Sequence, residues 1–178
     1  MLACATEADP KVVMTLIDVM REAGYDFSSV DNYRRTALMY ACGNDPKVVM
    51  TLIDLMKEAG YDFSSVDDHR STTLIYACQY RADPKVMMTL IDLMKEAGYD
   101  FSSVDEHDMT ALMLACKYGA DSKVIMTLID LMREAGYDFS SVDKYGMTTL
   151  MYACKYRADP KVVMTLIDLM KEAGHDFS

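Results

Sequence analysis

Five cysteines, Cys4, Cys42, Cys78, Cys116 and Cys154, recur at intervals of 36 to 38 residues, each directly after an alanine. Thiols in such a series could pair as disulfides, hold a soft metal or act as nucleophiles. A disulfide needs Cα atoms within about 7 Å, whereas stacked helices run about 8–10 Å apart. A zinc ion needs several ligands at about 2.3 Å from one point, and a ladder of equivalent positions does not converge. The expectation is a small apolar residue buried behind each alanine. An odd number of cysteines and no C-x-x-C motif suit a reducing, cytoplasmic compartment.

The next candidates are His69 and His107, which share a phase and are flanked by Asp68, Glu106 and Asp108. A bridging metal would need both turns within one coordination sphere, which their spacing along a repeat denies. The carboxylates recur where capping and solubility put them. No serine or cysteine shares a converging phase with a histidine and an acid, and there is no glycine-rich phosphate loop and no H-E-x-x-H. The sequence therefore predicts no catalytic residues, no cofactor and no metal.

What positions these side chains is a repeat. The stretch AGYDFSSVD occurs at 23–31, 59–67, 97–105 and 135–143, and a truncated AGHDFS ends at Ser178. Tyr25, Tyr61, Tyr99 and Tyr137 are spaced by 36, 38 and 38 residues, because GNDP at 43–46 stands where QYRADP stands at 79–84. In DPKVVMTLIDLMKEAG (45–60), Asp45 suits an N-cap, Pro46 the first helical position and Gly60 the left-handed residue past the end. Lys47, Thr51, Asp54 and Glu58 form one polar stripe, and nearly everything else is apolar. Such a helix needs neighbours before and behind it. A shorter apolar helix precedes each long one: TALMYAC (36–42), TTLIYAC (72–78), TALMLAC (110–116) and TTLMYAC (148–154). Each unit exposes too much apolar surface to stand alone, so the units should stack as a solenoid. The methionines, among them Met50, Met56, Met88, Met94, Met126 and Met132, fall at core phases and read as packing.

The 178 residues are 51% apolar and 26% charged, with a net charge of −10. That composition is folded and soluble. Its charge repels nucleic acid and anionic membrane surfaces and favours a basic or neutral partner. No apolar run nears the ~20 residues of a membrane span, and MLACATEADP does not read as a signal peptide.

DKYGMTTLMYAC at 143–154, followed by the long helix, resembles the ankyrin repeat, with Asp143, Gly146, Thr148, Leu150 and Ala153 in register. The family's proline is Ala37, Thr73, Ala111 or Thr149 here, its histidine is Met39, Ile75, Met113 or Met151, and its turn glycine survives only at Gly146, with Arg34, Arg70 and Asp108 in the other units. If those turns keep a left-handed residue, each replacement costs about 1 kcal/mol. The competing 34-residue tetratricopeptide pattern needs a tryptophan, and the chain has none. The resemblance implies an all-α, ankyrin-type helical-repeat solenoid with hairpin-like turns between helix pairs. It would form one domain over 1–178, with units at about 1–30 (partial), 31–66, 67–104, 105–142 and 143–178.

In proteins of this kind the turn tips and short helices line a concave groove that binds other proteins. By phase, the residues that would meet a partner are Tyr33, Arg35, His69, Ser71, Tyr76, Tyr80, His107, Met109, Tyr118, Tyr145, Met147 and Tyr156. Tyr76 and Tyr80, like Tyr152 and Tyr156, are four apart and share a helix face, and exposed tyrosine is typical of binding surfaces. The reading is a non-catalytic protein-binding scaffold or adaptor. The alternative is a structural or engineered, consensus-like repeat array with no evolved ligand. The first and last long helices keep the apolar letters of interior units, which predicts end-to-end self-association.

Overall fold

The computed structural model describes residues 9–174. Cys4 and the start of the first unit, like His175, lie outside the described residues. Among the described residues nine helices follow one another: α1 (Pro10–Glu22), α2 (Ala37–Ala41), α3 (Pro46–Glu58), α4 (Thr73–Gln79), α5 (Pro84–Glu96), α6 (Ala111–Tyr118), α7 (Ser122–Glu134), α8 (Thr149–Lys155) and α9 (Pro160–Glu172). The described residues contain no β-sheet, only isolated bridges from Val30 to Thr36 and from Val104 to Thr110, each closing a finger-like turn.

Every long helix begins the same way. Asp9, Asp45, Asp83, Asp121 and Asp159 each accept the backbone N–H two residues on, at 2.8–2.9 Å. This satisfies a donor that the first turn cannot pair internally. The ends are equally uniform. After α3, Gly60 takes φ 71°, its N–H donates to Lys57 O at 3.0 Å, and Tyr61 N–H donates to Met56 O at 2.9 Å. These bonds close a Schellman motif, which needs a left-handed residue at Gly60. The chain then leaves through a T-shaped Tyr61–Phe63 contact at 5.3 Å and a turn in which Asp62 accepts from Ser64 N–H at 2.9 Å. The repeated YDFSSVD is thus the exit from one helix and the approach to the next tip.

Contacts divide the chain into two compact units, Met1–Gly98 and Tyr99–Ser178. In the first, α1, α3 and α5 pack in sequence as a layer of long helices, and α2 and α4 form the short layer, each against the long helix that follows it. In the second, α7 packs on α9, α6 on α8, and each short helix on its long partner. The core lies between the layers. On α3, Val48, Val49, Leu52, Ile53 and Met56 are all buried, because neighbours flank it on both sides. Lys47, Asp54 and Glu58 are exposed and Thr51 is half-buried, as a polar stripe requires.

The methionines split. Met56, Met94 and Met132 are buried, but Met50, Met88 and Met126 are only half-buried, at the rim of the long-helix layer rather than in the core. Two threonines are out of place. Thr73 and Thr149 Oγ1 are buried without a hydrogen-bond partner, at the positions where Ala37 and Ala111 stand in the other units.

Two opposite effects follow. Leu52→Ala should cost about 2–5 kcal/mol, through a cavity in the helix layer. Thr73→Val should leave stability unchanged or raise it by up to about 1 kcal/mol, since an unsatisfied buried hydroxyl is replaced by a methyl. Denaturant midpoints at constant m-value measure both.

Candidate protein-binding surface

The tips are built by one carboxylate each. Asp31 Oδ1 accepts from Tyr33 N–H and Arg35 N–H, both at 2.9 Å. Asp67 does the same for His69 and Ser71 at 2.9 and 2.8 Å, Asp105 for His107 and Met109 at 2.8 and 2.9 Å, and Asp143 for Tyr145 and Met147 at 2.8 and 2.9 Å. Wrapping the backbone over the carboxylate forces the fourth residue into the left-handed region. Arg34, Arg70 and Asp108 accordingly have φ of 61°, 59° and 58°, beside 72° at Gly146. Successive tips are joined within each unit: Asp68 N–H donates to Tyr33 O at 3.1 Å, and Lys144 N–H to His107 O at 3.0 Å.

The short helices lock the same carboxylates from the other side. Tyr40, Tyr76 and Tyr152 hydroxyls donate to Oδ2 of Asp31, Asp67 and Asp143 at 2.7, 2.6 and 2.5 Å. Burial opposes ionisation of Asp143, but the Tyr152 hydroxyl, the Met147 and Tyr145 N–H groups and the Lys117 charge together hold its carboxyl below the ordinary aspartate range. For Asp31 the same balance is struck by Tyr40, by the N–H groups of Arg35 and Tyr33, and by the Arg35 charge. Burial and the adjoining carboxylate push the Tyr76 and Tyr152 hydroxyls upward, so they stay protonated donors.

In the first unit Arg35 gathers the surface. Its guanidinium lies 4.8 Å from the Tyr33 ring centre and 5.8 Å from that of Tyr40. It approaches His69 Nε2 at 3.3 Å, and its Nε stands 3.6 Å from the fully buried Asp67 carboxylate. Tyr76 and Tyr80 stack at 6.1 Å. Gly43 sits beneath Tyr80: a Cβ there would come within 3.3 Å of the Tyr80 Cβ. The shortened GNDP loop therefore forms the floor on which Tyr80 rests.

In the second unit Lys117 takes the central place, with its ammonium 5.4 Å from the Tyr118 ring and 5.7 Å from Tyr152. Tyr152 stacks on Tyr156 at 6.2 Å, Lys155 lies 5.5 Å from the Tyr156 ring, and His107 approaches Tyr145 at 6.0 Å.

Of the twelve positions singled out by phase, Tyr33, Tyr80, His107, Tyr118, Tyr145 and Tyr156 are exposed, and Arg35, His69, Tyr76 and Met147 are half-buried. Ser71 and Met109 are withdrawn from the surface, at 4% and 2% exposure. The N–H bond to the turn aspartate does not set this, because Arg35 and Met147 make the same bond and stay half-buried. Lys117 and Lys155 were not among the twelve. Their signal in the sequence was the tyrosine that directly follows each of them.

Cys42, Cys78 and Cys116 are buried free thiols, while Cys154 is exposed. Cys42 Sγ donates to Leu38 O at 3.3 Å, and burial pushes the Cys42 and Cys116 thiols up, the latter to about 12. These groups are packing rather than reactive thiolates. Among the described residues no three side chains of His, Cys, Asp or Glu converge to hold a metal, and no helix is long and apolar enough to cross a membrane.

Layered helix pairs joined by carboxylate-wound fingers define a helical-repeat protein. Residues 1–94 and 85–177 match the family model for ankyrin repeats (3 copies). The chain belongs to the ankyrin repeat family, whose members are generally protein–protein interaction modules and typically non-catalytic. No curated protein matches it.

The depressed turn carboxylates make stability depend on acid in one direction. Their contribution is fully present above the ordinary aspartate value of about 3.9 and is lost as pH falls through the lower folded values. Thermal midpoints measured from pH 7 down to pH 2 should fall steeply at the acid end, and the fall should be shallower in an Asp31→Asn/Asp143→Asn variant.

Proposed function

We propose that the chain is a non-catalytic scaffold or adaptor that seats a protein partner on its turn tips and short helices. The observation that carries this reading is the set of exposed tyrosines, Tyr33 and Tyr80 in the first unit and Tyr118, Tyr145 and Tyr156 in the second, each set on its own frame of short helices and hydrogen-bonded tips. Exposed tyrosine supplies contact area at low entropic cost, and a pre-organised frame lowers the cost of binding. The net charge of −10 speaks against nucleic acid as the partner. Buried cysteines that form no disulfide suit a reducing, cytoplasmic setting.

A second contact is suggested by α1 and α9. Val12 and Leu16 are exposed on α1, whereas their equivalents Val48 and Leu52 are buried on α3. On α9, Met164 is exposed and Val163 and Ile167 are half-buried, although Val49 and Ile53 are buried on α3. These two faces are the halves of the junction that adjacent repeats make, so head-to-tail association of copies is the contact they would form. Sedimentation should show mass rising with concentration, and Val12→Lys/Leu16→Lys should abolish the rise.

The main reading is tested by capturing partners from lysate and measuring the captured protein by calorimetry. Tyr118→Ala and Tyr156→Ala should each weaken binding by about 2 kcal/mol, as central aromatics do. Lys47→Ala, Lys85→Ala and Lys161→Ala, on the outer stripe, should change it little. Losses confined to the lysines would move the site to the outer face, and no capture at all would favour a repeat array without a ligand.

A further inference from the structure

The partner's chemistry can be narrowed from the second unit, and this step rests on the protein-binding reading above. Although acids outnumber bases by ten along the chain, the short-helix surface does not share that excess. The short helices α6 and α8 carry no acid, and their only charged residues are Lys117 and Lys155; the tip before α6 carries Asp105, Glu106 and Asp108, and the tip before α8 carries Asp143 and Lys144. Asp143 is buried and already accepts from Tyr145 N–H, Met147 N–H and the Tyr152 hydroxyl.

Lys155 makes no ion pair with another described residue, and Lys117 acts on Asp143 through its charge without an ion-pair contact. Lys117 touches Met109 Sδ at 3.9 Å and two tyrosine rings, and Lys155 lies over Tyr156. The ring-to-ammonium and ring-to-ring steps join Tyr118, Lys117, Tyr152, Tyr156 and Lys155 into one continuous strip. Ammonium groups held against ring faces have lost part of their water, so a carboxylate reaching them gains more than it would at a free lysine.

A second observation bears on the same end of the strip. Arg157 stands where Gly119 stands in the preceding repeat, and both are left-handed, at φ 58° and 71°. Glycine takes that conformation without strain; the arginine costs about 1 kcal/mol there and adds a cation one residue after Tyr156.

We propose that this surface takes an acidic segment of a protein partner, its carboxylates on Lys117 and Lys155 and its apolar side chains on Tyr118 and Tyr156. A short acidic segment fits because its charge ends where the lysines end. A nucleic acid strand would carry its charge on past the strip, along a chain whose net charge is −10.

The test is selection of random 12-residue peptides on the immobilised full chain, followed by fluorescence anisotropy of the recovered peptides. The expected peptides are rich in Asp and Glu. Their binding should weaken with salt and fall about tenfold in Lys117→Gln/Lys155→Gln, while Lys123→Gln/Lys161→Gln on the outer stripe leaves it unchanged. Lys155→Gln alone, at an exposed position, should give part of the loss with an unchanged thermal midpoint, which separates a binding effect from misfolding. Neutral or basic peptides that depend on Tyr118 and Tyr156 but not on the lysines would overturn this inference and leave the protein-binding reading standing. Peptides indifferent to both tyrosines and lysines, or no peptides, would count against both. A single-stranded oligonucleotide that binds more tightly than any recovered peptide, with the same lysine dependence, would also overturn it.

Discussion

The rest of the structure depends on a carboxylate enclosed by its own turn. Asp31, Asp67, Asp105 and Asp143 each draw two backbone N–H groups onto one oxygen, and that capture sets the direction in which the chain enters the next short helix. The immediate partners are short-range, but the consequences are not. The wound turn puts a threonine at the N-cap of each short helix, where Thr36, Thr72, Thr110 and Thr148 accept from the N–H three residues on. Within each unit it also places one tip against the next, so the spacing of the two repeats there is fixed by a backbone hydrogen bond as well as by side-chain packing. Buried charge is costly unless fully satisfied, and here the backbone itself provides the first two bonds.

The tyrosine that closes three of these carboxylates is an addition to the turn. At position 114 leucine stands in its place, and yet the Asp105 bonds to His107 and Met109 N–H have the same lengths as in the other tips. Backbone capture therefore suffices for the shape. The hydroxyl raises the cost of opening the turn and ties tip to helix, and it turns an otherwise surface-facing ring into part of the frame. Tyr76 and Tyr152 are for this reason poorer candidates for partner contact than Tyr80 and Tyr156, although each pair shares a helix face.

Much of the fold was legible because the same local rules are written several times. Asp45, Pro46 and Gly60 declared their caps, and the interval of the polar stripe on α3 gave its outward face. Comparing Arg34, Arg70 and Asp108 with Gly146 foretold the left-handed residues of the tips. The same comparison of Arg81 and Arg157 with Gly119 could have foretold the left-handed ends of the short helices. The surface was less legible, since exposure depends on neighbours far away in sequence. Ser71, Met109 and Met147 share the phase of Arg35, yet Ser71 and Met109 are buried while Met147, in the last described tip, is half-buried like Arg35. The seating of Tyr80 over Gly43 needed the loop deletion and the neighbouring repeat together. Lys117 and Lys155 gained meaning only once their ammonium groups were seen against rings.

The left-handed sites have a consequence for how such a chain changes over generations. At the tips and the short-helix ends they hold glycine at 119 and 146, arginine at 34, 70, 81 and 157 and aspartate at 108, all in the same left-handed conformation. Glycine and arginine codons can interconvert by a single nucleotide exchange. Each such site is thus a place where a lineage can add or erase a full positive charge in one mutational event, for about 1 kcal/mol of strain and no rearrangement of the frame. The surface charge of the repeats can drift quickly while the architecture beneath stays still.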